Sequence, residues 1–559
     1  MGEEGRGALT LASMIRGKRF LRYAGMTTSI RSLAQACLLV LVCAHAAGAQ
    51  ELRPSIPPVW DEKALLSMRL PLVVPGHEPS YFPKSYYYQL AARPIYKSYP
   101  VYRPGFEPPG YFEYLQQQTP QIAFDPAKLI TQEDWIRAGE AVFDAPSGYG
   151  RIAAVGEPDN QYLRGEQWYH DTAAPVLVDG TLPFYRYVIR EKGKVEIGVL
   201  SCAMCHTRVM PDGSAIKGAQ GNFPADRAIA WDYLHSNPPV ANVRGLESLL
   251  YAAPWIKPGA YEGIDTLSIA QIASHHAAIP PGVMARHGTS PATPAKIPDL
   301  IGVRDRRYLD ATGVMRHRDI GDLMRYISTN QDFDLLARYG DSPVGFGAAP
   351  PGMPPDPFPR ISSRQGSPET ITPMAKMYLD QSVAGGGVRY TDEELYALSL
   401  YLYTLKPPVN PNPFDARAAR GKEVFAREHC SGCHRPPLYT NNKLAPVGGF
   451  VPAAGAANSQ DVLSRSIGTD PDLALKTRRG TGFYKVPSLL GVWYRGPFQH
   501  SGAVATLEDW FDPRRLREDY VPTGFAGYDG AARAVPGHEF GLKLSAQDKD
   551  ALIAFLRTL

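Results

Sequence analysis

The stretch "CAMCH" at residues 202–206 holds two cysteines with two residues between them and a histidine directly after the second. The same spacing returns as "CSGCH" at residues 430–434. The pattern is carried by Cys202, Cys205, His206, Cys430, Cys433 and His434. Cys-x-x-Cys-His is the attachment pattern of c-type haem, in which the thiols bond to the porphyrin and the imidazole ligates the iron. The repeat predicts two covalently bound haem c groups, with His206 and His434 as iron ligands.

Two other interpretations of the paired cysteines remain open at this point. A thioredoxin-like redox pair would need a strand–helix–strand setting, and a four-cysteine zinc site would have to join two widely separated segments. The only other cysteines, Cys37 and Cys43, lie in an apolar stretch near the N-terminus. Because all remaining cysteines fall in two complete motifs, the composition favours haem c.

The first 49 residues have the composition of a secretory leader. Arg31 precedes an apolar run that ends in small residues at Ala47 and Ala49, which predicts cleavage before Gln50, with Met26 as an alternative start. No later run is long and apolar enough to cross a bilayer. We therefore expect a periplasmic or secreted protein without a membrane span after cleavage.

The charge balance argues against a nucleic-acid partner. Without residues 1–49 the chain carries equal numbers of basic and acidic side chains. Nucleic-acid binding depends on a basic surface that attracts phosphates. The local basic stretches "VRDRRYLDATGVMRHR" and "KTRRG" therefore need another explanation.

The chain repeats itself at low similarity around the two motifs. "AGEAVF" resembles "RGKEVF" before each motif, and "IPDLIGV" resembles "VPSLLGV" after it. "TDEELYALSLYLYTL" resembles "SAQDKDALIAFLRTL", and each has helical periodicity with Thr391 or Ser545 placed as an N-cap. The matched segments are 138–143 with 420–425, 297–303 with 486–492, and 391–405 with 545–559. Each set predicts one cytochrome c-type domain.

The predicted fold is therefore mainly α, with two cytochrome c-type domains. The boundaries are a signal peptide at 1–49, a Pro/Tyr-rich N-terminal arm at 50–130, domain 1 at 131–408 and domain 2 at 409–559. The spacing between matched segments shrinks along the chain, which places three insertions in domain 1, near 144–201, 207–296 and 327–390. The arm is too rich in proline and tyrosine for regular helix, so we expect it to be extended, with its tyrosines used for packing.

The segment "TGFYKVPSLLGVWYRGPFQHSGAVATLEDWF" at 481–511 resembles the second-domain signature of the bacterial di-haem cytochrome c peroxidases. This superfamily includes the methylamine dehydrogenase maturation enzymes and the rubber oxygenases. The resemblance extends loosely over 131–559, and the insertions make the chain more similar to the rubber-oxygenase branch.

The resemblance implies an exported oxidoreductase in which one haem passes electrons and the other meets peroxide or dioxygen. Because the insertions surround the first haem, His206 is the predicted catalytic ligand. One alternative is an oxygenase that cleaves an apolar polymer or polyene, and another is a non-enzymatic electron carrier. A small redox protein, either a cytochrome or a cupredoxin, is the expected electron partner, and the substrate is a small or apolar molecule.

The second haem needs a sixth ligand other than methionine, because all twelve methionines lie at or before Met377. After His434 only His500 and His538 remain. The resemblance places His500 beside the haem as a cofactor-binding residue and His538 near the distal ligand. We therefore predict His538 as the second iron ligand, with His500 or a tyrosine as the alternative. Either histidine could instead lie at the surface or bond a haem propionate.

The sixth ligand of the first haem stays open. Candidates in range are His235, His275, His276, His287 and Met210. The tryptophan that lies between the haems in the superfamily falls on or beside Ala311 here, so we expect slower peroxide turnover than in a dedicated peroxidase. Trp493 or Trp231 could bridge the haems instead.

Basic residues of the two pocket loops have a predicted role as partners of haem propionates, or else form a solvated face. They are Arg306, Arg307, Arg478 and Lys485. The superfamily's interdomain calcium relies partly on backbone carbonyls near a Pro-Phe-x-His motif. Pro497 is retained, which favours a bound calcium ion. Arg495 stands where a small polar residue is usual, which argues against one, so calcium stays an open prediction.

Overall fold

A computed structural model describes residues 54–559 with several gaps, namely 152–160, 237, 252, 254–262, 287, 332–336, 340–341, 344–388 and 453–460. Ser55–Leu559 form one compact unit. The predicted leader, His287 and most of the third predicted insertion lie outside the described residues. No helix in the described part of the chain has the length and apolar character of a membrane span.

Helices are distributed along the whole described chain. They are α1 Glu62–Met68, α2 Lys84–Gln89, α3 Tyr111–Gln116, α4 Gln132–Asp144, α5 Glu166–Thr172, α6 Cys202–His206, α7 Ala225–Ser236, α8 Val240–Tyr251, α9 Ile269–Ala277, α10 Ile320–Asn330, α11 Asp392–Thr404, α12 Ala416–Arg427, α13 Asp472–Leu475, α14 Leu507–Trp510 and α15 Ala546–Arg557. The prediction of a helical protein holds at this coarse level.

The strands of the described residues form six small sheets. They are β1 Pro79–Tyr81, β2 Ser98–Tyr102, β3 Gly148–Tyr149, β4 Thr181–Glu191, β5 Lys194–Val199, β6 Thr207–Val209, β7 Ala215–Lys217, β8 Val283–Met284, β9 Ala295–Lys296, β10 Tyr308–Leu309, β11 Met315–Arg316, β12 Ala337–Tyr339, β13 Ser342–Pro343, β14 Leu444–Pro446 and β15 Phe483–Lys485. The largest sheet is antiparallel with the order β2-β4-β5-β3. β1-β12-β13 form a three-stranded sheet, and the other sheets are two-stranded pairs of neighbours, β6 with β7, β8 with β9, β10 with β11 and β14 with β15.

Two helix pairs have the same construction. α4 packs on α11, and α12 packs on α15. A Cβ atom on Gly139 of α4 would lie 2.0 Å from the carbonyl oxygen of Ala397, and one on Gly421 of α12 would lie 1.9 Å from that of Ala551. Any side chain at these positions would clash with the partner helix. The glycine shared by "AGEAVF" and "RGKEVF" thus has one physical cause in both pairs.

The predicted N-caps are confirmed. The side chain of Thr391 accepts a hydrogen bond from the backbone N–H of Glu394, and Ser545 does the same for Asp548. Glu394 also accepts from the backbone N–H of Thr391, which completes a capping box.

The segment before α4 differs from the prediction. It contains three short helices, α1 to α3, so the expectation of no regular helix is wrong. Capping explains the first of them, since the Asp61 carboxylate accepts from the Ala64 N–H. The packing role of the aromatic residues is confirmed for Tyr87, which is fully buried and stacks on Trp60 with ring centroids 4.6 Å apart. A separate arm stays a prediction.

The largest sheet positions the first Cys-x-x-Cys-His motif. β5 ends at Val199, and Leu200 then takes a left-handed φ of 61° before α6 begins at Cys202. Such a conformation is costly for leucine and is retained only where the surroundings impose it. The Ser201 side chain caps α6 by accepting from the Met204 N–H.

Candidate haem sites

The second motif opens into a cavity of about 250 Å³. Cys430, Cys433 and His434 line this cavity, and neither cysteine forms a disulfide. Apolar side chains from α12, α14 and α15 cover much of its wall, namely Phe425, Leu507, Trp510, Leu552 and Leu556. Free thiols, an imidazole and an apolar wall are the groups that a covalently attached porphyrin needs.

His434 is buried with one ring nitrogen already engaged. Its Nδ1 lies 3.0 Å from the carbonyl oxygen of Tyr439. A carbonyl can only accept, so Nδ1 carries the proton and Nε2 is left with its lone pair. Burial also lowers the pKa of His434, which favours the neutral ring that binds a metal.

His538 faces His434 across the cavity. The ring centroids are 6.3 Å apart. A metal–imidazole bond is about 2 Å long, so two imidazoles that bind one metal from opposite sides have centroids about 6 Å apart. The buried Nδ1 of His538 has no hydrogen-bond partner among the described residues. The pair therefore fits an iron between the two rings.

The loop that carries His538 is held by Arg515, which sequence reasoning missed. This fully buried guanidinium donates to four backbone carbonyl oxygens, those of Trp510, Val535, Gly537 and His538. His538 itself has a left-handed φ of 47°. A strained backbone conformation fixed by several hydrogen bonds is typical of a functional position.

His500 lines the same cavity but is held at its side. Its Nε2 is 2.8 Å from the Thr469 hydroxyl oxygen, and its ring stacks on Tyr484 with centroids 3.4 Å apart. Burial lowers the pKa of His500 to about 3. Because Nε2 is engaged by Thr469, this geometry favours a place beside the cofactor over a place on the iron.

Four cationic side chains and one carboxylate line the cavity. The cations are Lys296, Arg306, Lys485 and Arg495, and the carboxylate is Asp299. Burial, with a smaller contribution from neighbouring arginines, lowers the pKa of both lysines to about 7. The Nε atoms of both arginines are buried without a hydrogen-bond partner. This surplus of positive charge and unpaired donors fits the two propionates of a haem.

The structure brings only part of the predicted basic set to this cavity. Arg306 and Lys485 line it, whereas Arg307 pairs with Asp461 and Arg478 donates to the carbonyl of Leu250. Lys296 and Arg495 were missed as propionate partners.

In the first motif, as in the second, a backbone carbonyl fixes the tautomer of the histidine ring. Nδ1 of His206 lies 3.1 Å from the carbonyl oxygen of Pro298, so Nδ1 donates and Nε2 keeps its lone pair. Burial lowers the pKa of His206 to about 4. Cys202 and Cys205 are free thiols. These three residues offer the same donor set as the second motif.

A buried ion network connects the first motif with the second cavity. Arg286 is close enough to His206 for its charge to lower the pKa of that imidazole. Arg286 pairs with Asp310, which also accepts from Arg479 Nη1 at 2.9 Å. The next residue, Ala311, lines the second cavity. Although burial raises it, the two guanidiniums hold the pKa of Asp310 well below its usual value.

The candidate distal residues of the first haem lie in different surroundings. Both ring nitrogens of His276 are engaged, Nδ1 by Asp226 at 2.7 Å and Nε2 by Glu247 at 3.0 Å. His235 stacks on Trp231, and His275 packs against Tyr528. Met210 packs in an apolar cluster with Ile216, Ile301 and Trp493. Met284, which no sequence motif indicated, has its Sδ 3.6 Å from Cys205 Sγ.

The two candidate bridging tryptophans differ in position. Trp231 donates to Asp171 and stacks on a histidine. Trp493 packs with Met210 and directly follows Val492, which lines the second cavity. Only Trp493 therefore lies next to this cavity.

No family model matches the chain. The cytochrome-c peroxidase IdrP1 of Pseudomonas sp. (strain SCT) is 26% identical over 166 residues, which cover 26% of this chain and 41% of the relative. The predicted resemblance to the di-haem cytochrome c peroxidase superfamily is confirmed over this part of the chain. The branch within that superfamily stays a prediction.

Two solved structures are similar to parts of the chain. One is a MauG-like protein associated with microbial copper homeostasis, with 21% identity over 30% of this chain and 56% of that chain, and a TM-score of 0.20. The other is the hydrazine synthase of Kuenenia stuttgartiensis, with 13% identity over 57% of this chain and 87% of that chain, and a TM-score of 0.24.

Proposed function

We propose that the protein is an exported di-haem c-type oxidoreductase, in which the second site passes electrons and the first site meets peroxide or dioxygen. The observation that carries this proposal is the 6.3 Å separation of the His434 and His538 rings. With both imidazoles as ligands, a haem iron bound here would have no coordination position left for an external molecule. A site of this kind suits electron transfer rather than substrate activation.

The first site is the better candidate for chemistry. Among its candidate distal residues, His276 is fixed between Asp226 and Glu247. Although burial lowers it, the two carboxylates raise the pKa of His276, and because they engage both ring nitrogens neither nitrogen offers a lone pair to an iron. His276 is thus disfavoured as the sixth ligand of the first haem.

Each side chain has a defined task in this scheme. His206 and His434 would offer Nε2 to the haem irons, because Pro298 and Tyr439 accept hydrogen bonds from their Nδ1 protons. Lys485 and the cations beside it neutralise the propionates, and the apolar wall keeps water out. When bound, haem supplies an iron that exchanges electrons and reacts with peroxide or dioxygen.

Ligand addition to the ferric holoprotein tests the assignment of roles. Cyanide should shift only the haem signals that persist in a Cys430→Ala/Cys433→Ala variant, which retains the first motif alone. Binding confined to the second haem would overturn the proposal. No binding at either haem would instead make the protein an electron carrier.

Substrate tests then define the reaction. Stopped-flow mixing with hydrogen peroxide and a reduced cytochrome or cupredoxin should oxidise that partner if the protein acts like the peroxidase relative. Oxygen uptake with an apolar polyene would instead indicate a rubber-oxygenase-like activity. Because Ala311 stands where the superfamily has a bridging tryptophan, we expect slow peroxide turnover.

A further inference from the structure

Three backbone carbonyls converge where the two predicted domains meet. They belong to Gly282 in domain 1 and to Gly496 and Pro497 in domain 2. A Cβ atom on Gly282 would lie 2.8 Å from the Gly496 oxygen, and Gly282 has a φ of 91°. Only glycine permits this close approach of the two backbone segments, around Gly282 and around Gly496.

Two side chains of domain 1 donate to this group. Gln220, which is 1% exposed, uses Nε2 to bond Gly282 O at 3.1 Å and Pro497 O at 3.0 Å. Arg208 uses Nη1 to bond Gly496 O at 3.2 Å and, more weakly, Gln220 O at 3.4 Å. Burial lowers the pKa of Arg208 to about 10, so it still carries its charge at neutral pH.

These residues do not fit the calcium ion that the resemblance implied. Calcium needs six to eight oxygen ligands, usually with carboxylates among them. Here the carbonyls already accept hydrogen bonds, and a guanidinium charge lies beside them. The described part of the chain contains no group of three or more His, Cys, Asp or Glu residues that could hold a metal ion.

We propose that Arg208 and Gln220 replace a calcium ion as the link between the two domains. The guanidinium supplies the positive charge and the amide supplies directed donors, so the carbonyls are satisfied without a metal. The domain interface is then independent of calcium, and this independence is separate from the reaction that the haem sites perform.

The first experiment uses the wild-type holoprotein. Dialysis against EGTA, followed by calcium addition, should change neither the melting temperature nor the haem absorption and electron paramagnetic resonance spectra. Elemental analysis should find less than one calcium per chain. Stoichiometric bound calcium, or a melting temperature that falls with EGTA, would overturn the proposal.

The second experiment uses Arg208→Met and Gln220→Met, with Arg186→Met as the control. Arg186 is also a half-buried arginine that donates to a backbone carbonyl, that of Ser98 in the predicted N-terminal arm, so its bond does not join the two predicted domains. Arg208→Met and Gln220→Met should each increase hydrogen exchange in 496–502. Arg186→Met should increase exchange only in 98–102 and the strands beside it. Unchanged exchange in 496–502 for both test variants would contradict the assigned link.

Discussion

The two Cys-x-x-Cys-His sites share their proximal side and differ on the distal side. In both, a backbone carbonyl fixes the histidine tautomer, through Pro298 for His206 and Tyr439 for His434. The second site adds an opposing imidazole, His538, at a spacing that suits one iron. The first site instead borders the buried Arg286–Asp310 pair. The repeated motif therefore provides the same attachment residues at both sites. The residues around each motif determine how the two proposed haem sites differ in function.

The second cavity is lined mainly by cations among its charged side chains. The second cavity collects four cations, of which Lys296 and Arg306 come from domain 1. The predicted domains thus share one haem site. We infer that changes in domain packing alter the electrostatic surroundings of the second haem, because its cations lie on both sides of the boundary.

The largest expected effect concerns haem content. Wild-type protein should carry two covalent haems per chain, while the Cys202→Ala/Cys205→Ala and Cys430→Ala/Cys433→Ala variants should each carry one. The pyridine haemochrome assay and intact-mass spectrometry measure this directly. A wild-type value of one or zero would remove the basis for comparing two sites.

Substitution of the opposing histidine should break the difference between the sites. His538→Ala should convert the second haem from low to high spin, because one axial ligand is lost. His500→Ala is the control and should leave the haem low spin, since Thr469 holds that ring away from the iron. Electron paramagnetic resonance separates the outcomes, and a reversed result would make His500 the ligand.

A smaller effect is expected from the support of the His538 loop. Arg515→Met should lower the free energy of unfolding by about 2–4 kcal/mol, because buried carbonyls lose a charged donor. It should also produce a partial high-spin signal from the second haem. Arg514→Met is the matched control, because Arg514 is exposed and pairs only with Asp512. If Arg515→Met lowers stability and leaves the spin state unchanged, Arg515 has a structural role only.

Features set by local spacing could be predicted from the sequence. The haem motifs, the N-caps at Thr391 and Ser545 and the helices that these caps begin depend on residues within a few positions of one another. The resemblance assigned His538 to the iron and His500 to a place beside the haem, and the geometry favours this assignment. The four-stranded sheet was not predicted, although the aromatic and β-branched residues of "TLPFYRYVIRE" in β4 favour a strand.

Long-range partners could not be predicted. Arg515 reaches the carbonyls of 535–538, and Arg208 reaches Gly496 on the other predicted domain. Buried arginines of this kind follow no periodicity, and their acceptors are backbone carbonyls that any residue supplies. Lys296 and Arg495 also line the second cavity, and their positions there depend on the tertiary fold rather than on sequence spacing.

The smallest expected effect separates the closing helices of the two domains by pH. Glu394 and Asp548 occupy the same N-terminal position of α11 and α15. Burial raises the pKa of Glu394 to about 7, whereas hydrogen bonds from Arg420 and Arg427 lower the pKa of Asp548. The folded state thus binds a proton more tightly than the unfolded state at Glu394 and less tightly at Asp548.

The stability contributions of Glu394 and Asp548 therefore change in opposite directions with pH. The contribution of Glu394 to stability is greatest below pH 4.5, its unfolded pKa, and declines as pH rises to about 7, with a slope of at most about 1.4 kcal/mol per pH unit. The contribution of Asp548 is present above pH 3.8 and is lost as pH falls below that value. In melting curves of the holoprotein against pH, Glu394→Gln should remove the decline between pH 4.5 and 7. Asp548→Asn should affect only the acid limb, and identical pH profiles for the two variants would mean that the matched helices respond to pH in the same way.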